Sequence, residues 1–177
     1  KPERNRLIDL IDTESHRDIA MLESFDEDEI GSRMSMNFIE IKSGISIREA
    51  MRELINQAAE NDNISTLYVT DDDHTFCGAI DLKDLIIARE GSNLDDIIME
   101  SYPYVYAREM IEDCIERMQD YSEDSIPELD ENNKILGVIT AQDIVQVVDD
   151  EMGDDYAKLA GLASEEELNE PIRQSVH

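Results

Sequence analysis

Apolar residues return along this chain in two rhythms, every second position over short runs and every third or fourth over longer ones. Over residues 3 to 25, the sets Leu7, Ile8, Leu10, Ile11 and Ile19, Ala20, Leu22 in charged surroundings predict a helix. Phe38-Ile39-Glu40-Ile41 reads as a short strand, ended by Ser43-Gly44. Ser46 and Glu49 then form a capping box, opening a helix that gathers Ile47, Ala50, Met51, Leu54, Ile55 and Ala58 on one face. Asn61-Asp62-Asn63 stops it. Thr66–Thr70 and Phe76–Ile80 are strands rich in branched and aromatic residues, joined by the polar turn Asp71–His74. Asp81 caps a further helix carrying Leu82, Leu85, Ile86 and Ile87.

This β-α-β-β-α order then recurs. Tyr104–Tyr106 is a strand, and Met110, Ile111, Cys114, Ile115 and Met118 stripe a helix. Ser125–Leu129 and Ile135–Ile139 are strands about the turn Asp130–Asn133, and Thr140 caps a last helix with Ile144, Val145, Val147 and Val148. Two markers fix the offset: Gly78 and Gly137, and Asp84 and Asp143, are each separated by 59 positions. Equal offsets at two markers indicate an internal duplication, so the fold class expected is α/β, with two βαββα repeats.

Composition bears on the chemistry of partners only through its charge. Forty-four Asp and Glu against 15 Lys and Arg leave a formal charge of −29. Nucleic acid and anionic lipid surfaces are therefore poor partners, and cations, divalent ones above all, are good ones. A halophilic surface is the alternative cause of such acidity. Hydrophobic content of 41% is that of a folded domain. Cys77 and Cys114, with three histidines, suggest neither a disulfide framework nor a zinc site and read as small buried hydrophobes. No run approaches the ~20 apolar residues of a membrane span, so a soluble chain is expected. Because it opens on Lys1 rather than Met, it is expected to be a piece of a longer protein.

Carboxylates crowd most at the end of the last predicted helix, at Asp149, Asp150, Glu151, Asp154 and Asp155. On a continuing helix, Asp150 with Asp154 and Glu151 with Asp155 are neighbours at i,i+4, each pair costing about 0.2–0.5 kcal/mol. The helix dipole disfavours anions at that end as well. A magnesium ion, which keeps several waters and takes one or two carboxylates, would offset both; a solvated acidic surface is the alternative. His74, in an acidic turn, is expected to be an exposed loop residue. No Ser, His and Asp set and no glycine-rich phosphate loop is present, so no enzyme activity is expected.

Gly137-Val-Ile-Thr-Ala-Gln-Asp143 resembles the signature of the cystathionine-β-synthase (CBS) domain, and Gly78 to Asp84 is a weaker copy. The flanks, Ser24 to Met34 and Glu151 to Leu162, resemble the segments bordering the CBS pair of MgtE-type magnesium transporters. This resemblance implies tandem CBS domains with a helical N-terminal remnant (1–30), a first CBS domain (31–93), a second (94–152) and a connecting segment (153–177). It also implies a regulatory module on the cytoplasmic face of the membrane, paired as a homodimer and coupled to the N-terminal and transmembrane domains of a parent transporter. Magnesium would be the sensed ion. Glu112, Asp143, Glu151, Asp154 and Asp155 match its acidic ligand positions, while Ser122 and Gln146 stand where the family commonly offers Asp. ATP or AMP is the alternative ligand, held by Thr140, Asp143 and Asp84. Asp81 there replaces a hydroxyl residue, Glu123 replaces an aromatic one, and Thr-x-x-Asp is also a plain helix cap.

Overall fold

The computed structural model describes residues 19–153. Of the helix predicted over residues 3–25, residues 19–23 (α1) are described and helical, and the rest lies outside the described residues. The first repeat runs β1 (Ile39–Lys42), α2 (Ile47–Ala58), β2 (Thr66–Thr70), β3 (Phe76–Asp81), α3 (Leu82–Ile87). The second runs β4 (Val105–Tyr106), α4 (Ile111–Gln119), β5 (Ser125–Leu129), β6 (Ile135–Thr140), followed by α5 over residues 141–153. Short 3₁₀ turns at Ile30–Arg33 and Leu94–Ile97, not foreseen from the sequence, precede the two repeats. The chain divides into two compact units after Ala141, so both sheets belong to the first unit.

Each repeat forms its own three-stranded sheet, with the middle strand parallel to the first and antiparallel to the third. The parallel pairing requires a crossover, and α2 and α4 supply it. Ser46 Oγ accepts from Glu49 N at 3.1 Å, so the predicted cap is formed. Ile39, Ile41, Leu67, Val69, Ile80 and Leu85 pack with the Ile47, Ala50, Leu54 seam of α2 into the first core. Val105, Ile111, Cys114, Met118, Ile126 and Ile139 are the buried counterparts in the second repeat.

The duplication persists at the level of single hydrogen bonds. Both middle strands slip register at the same place, between Val69 and Thr70 and between Glu128 and Leu129. In both hairpin turns an aspartate side chain accepts two backbone N–H groups: Asp71 from Asp73 and Thr75, Asp130 from Asn132 and Lys134. His74 and Asn133 occupy matching left-handed positions, φ 63° and 64°. These turns meet: Phe76 N donates to Asn133 O at 2.9 Å and Ile135 N to His74 O at 3.2 Å. A pseudo-two-fold relation thus joins the repeats, and a string of tilted aromatic contacts, Phe38–Tyr68–Tyr102 and Phe76–Tyr104–Tyr106, crosses the junction.

The repeats also exchange their lead-in segments. Ser35, ahead of the first repeat, bridges Val138 of β6, whereas Met99, ahead of the second, bridges Ala79 of β3. Two glycines permit this. A Cβ on Gly78 would stand 2.6 Å from Met99 O, and one on Gly137 would stand 2.7 Å from Ser35 O.

Several apolar expectations need correction. Ile55, Ile86 and Ile87 are 65%, 61% and 67% exposed, and Val145 is 61% exposed. Neighbouring residues on a helix point about 100° apart, so once Leu54 and Leu85 take the core, Ile55, Ile86 and Ile87 turn away. On α5, Ile144 and Val147 are buried as expected. Cys114 is buried, but Cys77 is only half-buried.

Burial, with Glu109 next, pushes the Cys114 thiol up to about 11, and burial, followed by the Asp71 charge, raises Cys77 too. Both therefore remain thiols at pH 8. A disulfide reagent at that pH should modify Cys77 slowly and Cys114 only when the protein unfolds; prompt reaction of both would contradict this environment.

Candidate functional site

The unit formed by the two sheets has a cleft of about 400 Å³ between the repeats. The start of β2 contributes Ser65 and Thr66, the end of β3 contributes Asp81, the inter-repeat linker contributes Met99 and Tyr102, and the approach to β5 contributes Ser122, Glu123 and Asp124. The cleft exists because β2 and β5 begin opposite one another across the pseudo-two-fold. Ser65 Oγ donates to Asp124 Oδ2 at 3.3 Å, and these two residues are again 59 positions apart.

Tyr102 lines it, and the buried Tyr68 packs edge-on against Tyr102. Tyr102 OH donates to Ser125 O, and the Tyr68 hydroxyl shares a short hydrogen bond with Ser125 Oγ. Burial raises the pKa of both phenols, strongly for Tyr68, so both stay protonated and act as fixed hydrogen-bonding groups. Among the described residues the lining includes Asp81, Glu123 and Asp124 and no Lys or Arg. Such a cleft offers hydroxyls and an apolar floor but repels a bare phosphate.

The sequence-predicted residues are distributed as follows. Asp81 caps α3, accepting from Lys83 N at 3.1 Å, and Asp84 follows, half-buried, in the first turn of that six-residue helix. Thr140 is the last residue of β6, and Asp143 lies, half-buried, in α5. Glu112 is exposed in the first turn of α4. Glu151 is half-buried in α5, eight positions beyond Asp143 and hence about 12 Å further along the axis. Asp154 and Asp155 lie outside the described residues. Gln146 donates to Asp150 Oδ1 at 3.0 Å, one turn along the helix.

Among the described residues no three of His, Cys, Asp and Glu are grouped so as to hold a metal ion. The carboxylates expected as ligands are hard oxygen donors suited to magnesium. Of the residues that depart from the family pattern, Ser122, Glu123 and Asp81 come together in the cleft. Tyr102 and Asp124 were missed; the 59-residue offset linking Asp124 to Ser65 was the available signal. His74 is an exposed turn residue whose Nδ1 lies 2.8 Å from Glu40 Oε1.

The CBS domain family profile matches residues 28–91 and 94–150. The magnesium transporter MgtE of Enterococcus faecalis is 32% identical over 161 residues, covering 91% of this chain and 36% of that protein. MgtE of Thermus thermophilus is 28% identical over 157 residues, covering 89% and 35%. The crystal structure of the cytosolic domain of the Mg²⁺ channel MgtE in complex with ATP has a TM-score of 0.71 at 28% identity, covering 81% of this chain and 58% of that one. The chain thus spans about a third of the length of these curated relatives. No helix among the described residues is long and apolar enough to cross a membrane. The duplicated βαββα architecture and the two profile matches together place the chain in the CBS-domain family, as a tandem pair similar to the one in MgtE magnesium transporters.

Proposed function

We propose that this chain is the cytosolic regulatory module of a magnesium transporter, binding Mg²⁺ through acidic residues at its interfaces and setting whether transport is open or closed. The similarity to MgtE over 91% of the chain carries the reading, because it extends beyond the two CBS matches into both flanks. The charge of −29 supports it. Glu112, Asp143 and Glu151 would each supply part of an ion's shell, completed by Asp154, Asp155, a second copy of the chain, or the neighbouring N-terminal and transmembrane domains. An ion that binds the closed arrangement more tightly than the open one shifts the population toward closure as its concentration rises. On this reading the module is a non-catalytic homodimer at the cytoplasmic face of the membrane.

A second reading is supported by the ATP complex of the MgtE cytosolic domain: adenine-nucleotide sensing. The acidic cleft then takes the nucleotide best with its phosphates neutralised by metal. Thermal-shift titration tests the two together. MgCl₂ should raise the melting temperature of this chain beyond NaCl at equal ionic strength, and ATP alone should do little. Equal effects of the two salts would remove the magnesium reading, and a large rise with metal-free ATP would favour the second.

A further inference from the structure

The 59-residue duplication provides an internal control for the acidity of the cleft between the repeats. Asp81, Glu123 and Asp124 line it, and their counterparts in the opposite repeat are Thr140, Ile64 and Ser65, none of which carries a charge. The three carboxylates are therefore a property of this cleft and not only of the chain's general composition. Among the described residues no Lys or Arg lines it, and Lys83, the cation nearest to Asp81 along the chain, is exposed and outside the lining.

The carboxylates differ in how far they are already engaged. Asp81 accepts from Lys83 N at 3.1 Å and Asp124 from Ser65 Oγ at 3.3 Å. Glu123, half-buried, makes no hydrogen bond or ion pair among the described residues. The three are not grouped closely enough to hold one metal ion. The cleft thus presents separated negative charge around a space of about 400 Å³, which lies within the range of small-molecule sites, about 300–1,000 Å³. Thr66 and Tyr102, each 8% exposed, bring buried hydroxyls to its wall, and Met99 and Pro103 bring apolar surface.

We propose that this cleft is a binding site for an aliphatic polyamine, whose ammonium groups meet Glu123, Asp124 and Asp81 separately while its methylenes lie on Met99 and Pro103. An ammonium group carries three N–H donors and no acceptor, and a primary amine with a pKa of about 10.4 stays charged at neutral pH. It therefore suits carboxylates and hydroxyl oxygens that are spaced apart, whereas a free nucleotide phosphate in the same place would meet three like charges. The inference goes beyond the nucleotide reading by reversing the charge of the ligand. Its failure leaves the magnesium reading untouched, because that reading uses Glu112, Asp143, Glu151, Asp154 and Asp155.

Calorimetric titration of the full chain with spermidine in about 0.15 M NaCl tests the site, since that salt shortens the screening length to about 8 Å and suppresses diffuse attraction to the remaining acidic surface. Saturable binding to the parent is expected. Glu123→Gln with Asp124→Asn should weaken it by about ten-fold or more. Asp72→Asn with Asp73→Asn, which removes the same charge from an exposed turn, should leave it within about two-fold. Glu123→Lys, which costs no hydrogen bond, should abolish it, and MgCl₂ at equal ionic strength should displace spermidine no better than NaCl does. Equal weakening by the two pairs, unchanged binding in Glu123→Lys, full displacement by MgCl₂, or no saturable binding to the parent would each overturn the polyamine site.

Discussion

Gly78→Val, at a buried position of β3, should lower the melting temperature by roughly 6–12 °C. A Cβ at position 78 meets Met99 O at 2.6 Å and Met99 C at 3.2 Å, so the obstacle is backbone. That backbone is paired with β3 through Ala79 N to Met99 O at 3.0 Å and Met99 N to Ala79 O at 2.7 Å. Valine must therefore expel the linker, losing two hydrogen bonds, or bend β3, at a combined cost of about 3 kcal/mol or more. Met99 also lines the cleft, so the same change should disturb any ligand there. Gly91→Ala is the control, since nothing stands within 4 Å of its added carbon. Calorimetry decides: a Gly78→Val protein melting within about 2 °C of the parent would mean that the exchanged lead-in is not a structural element.

That exchange marks the boundary of what the sequence could reveal. Strands such as Thr66–Thr70 were legible because branched and aromatic residues filled them, and the Ser46 cap because its partner stood at the required spacing. The duplication was legible because Gly78 and Gly137 kept their offset, though the reason for glycine there, a carbonyl crossing from the other repeat, is a long-range contact invisible to local pattern. Periodicity also overstated the cores. It placed Ile55, Ile86 and Ile87 inward, whereas a short helix against a three-stranded sheet buries one narrow seam. The candidate site followed the same rule. Asp81 was readable as a cap, yet its approach to Glu123 and Asp124 depends on strand starts that only the paired sheets bring together.

Asp154→Asn combined with Asp155→Asn should abolish most of the magnesium-induced stabilisation, leaving the salt-induced part intact. One magnesium bound only by the folded chain stabilises it by about 2.7 kcal/mol at 100 times its dissociation constant, or roughly 5–10 °C in a chain of this size. General screening acts differently. It relieves repulsion among all 44 acidic residues, and removing two of them changes that sum little. The comparison to make is with Asp72→Asn plus Asp73→Asn, which deletes the same charge from the exposed turn of the first repeat. If the acidic run that begins with Asp149, Asp150 and Glu151 in α5 is where the ion acts, only the first pair flattens the MgCl₂ titration, and both keep the parent's NaCl response. Equal flattening by the two pairs would instead assign the effect to net charge, because a delocalised ion atmosphere has no reason to distinguish the end of α5 from a hairpin turn.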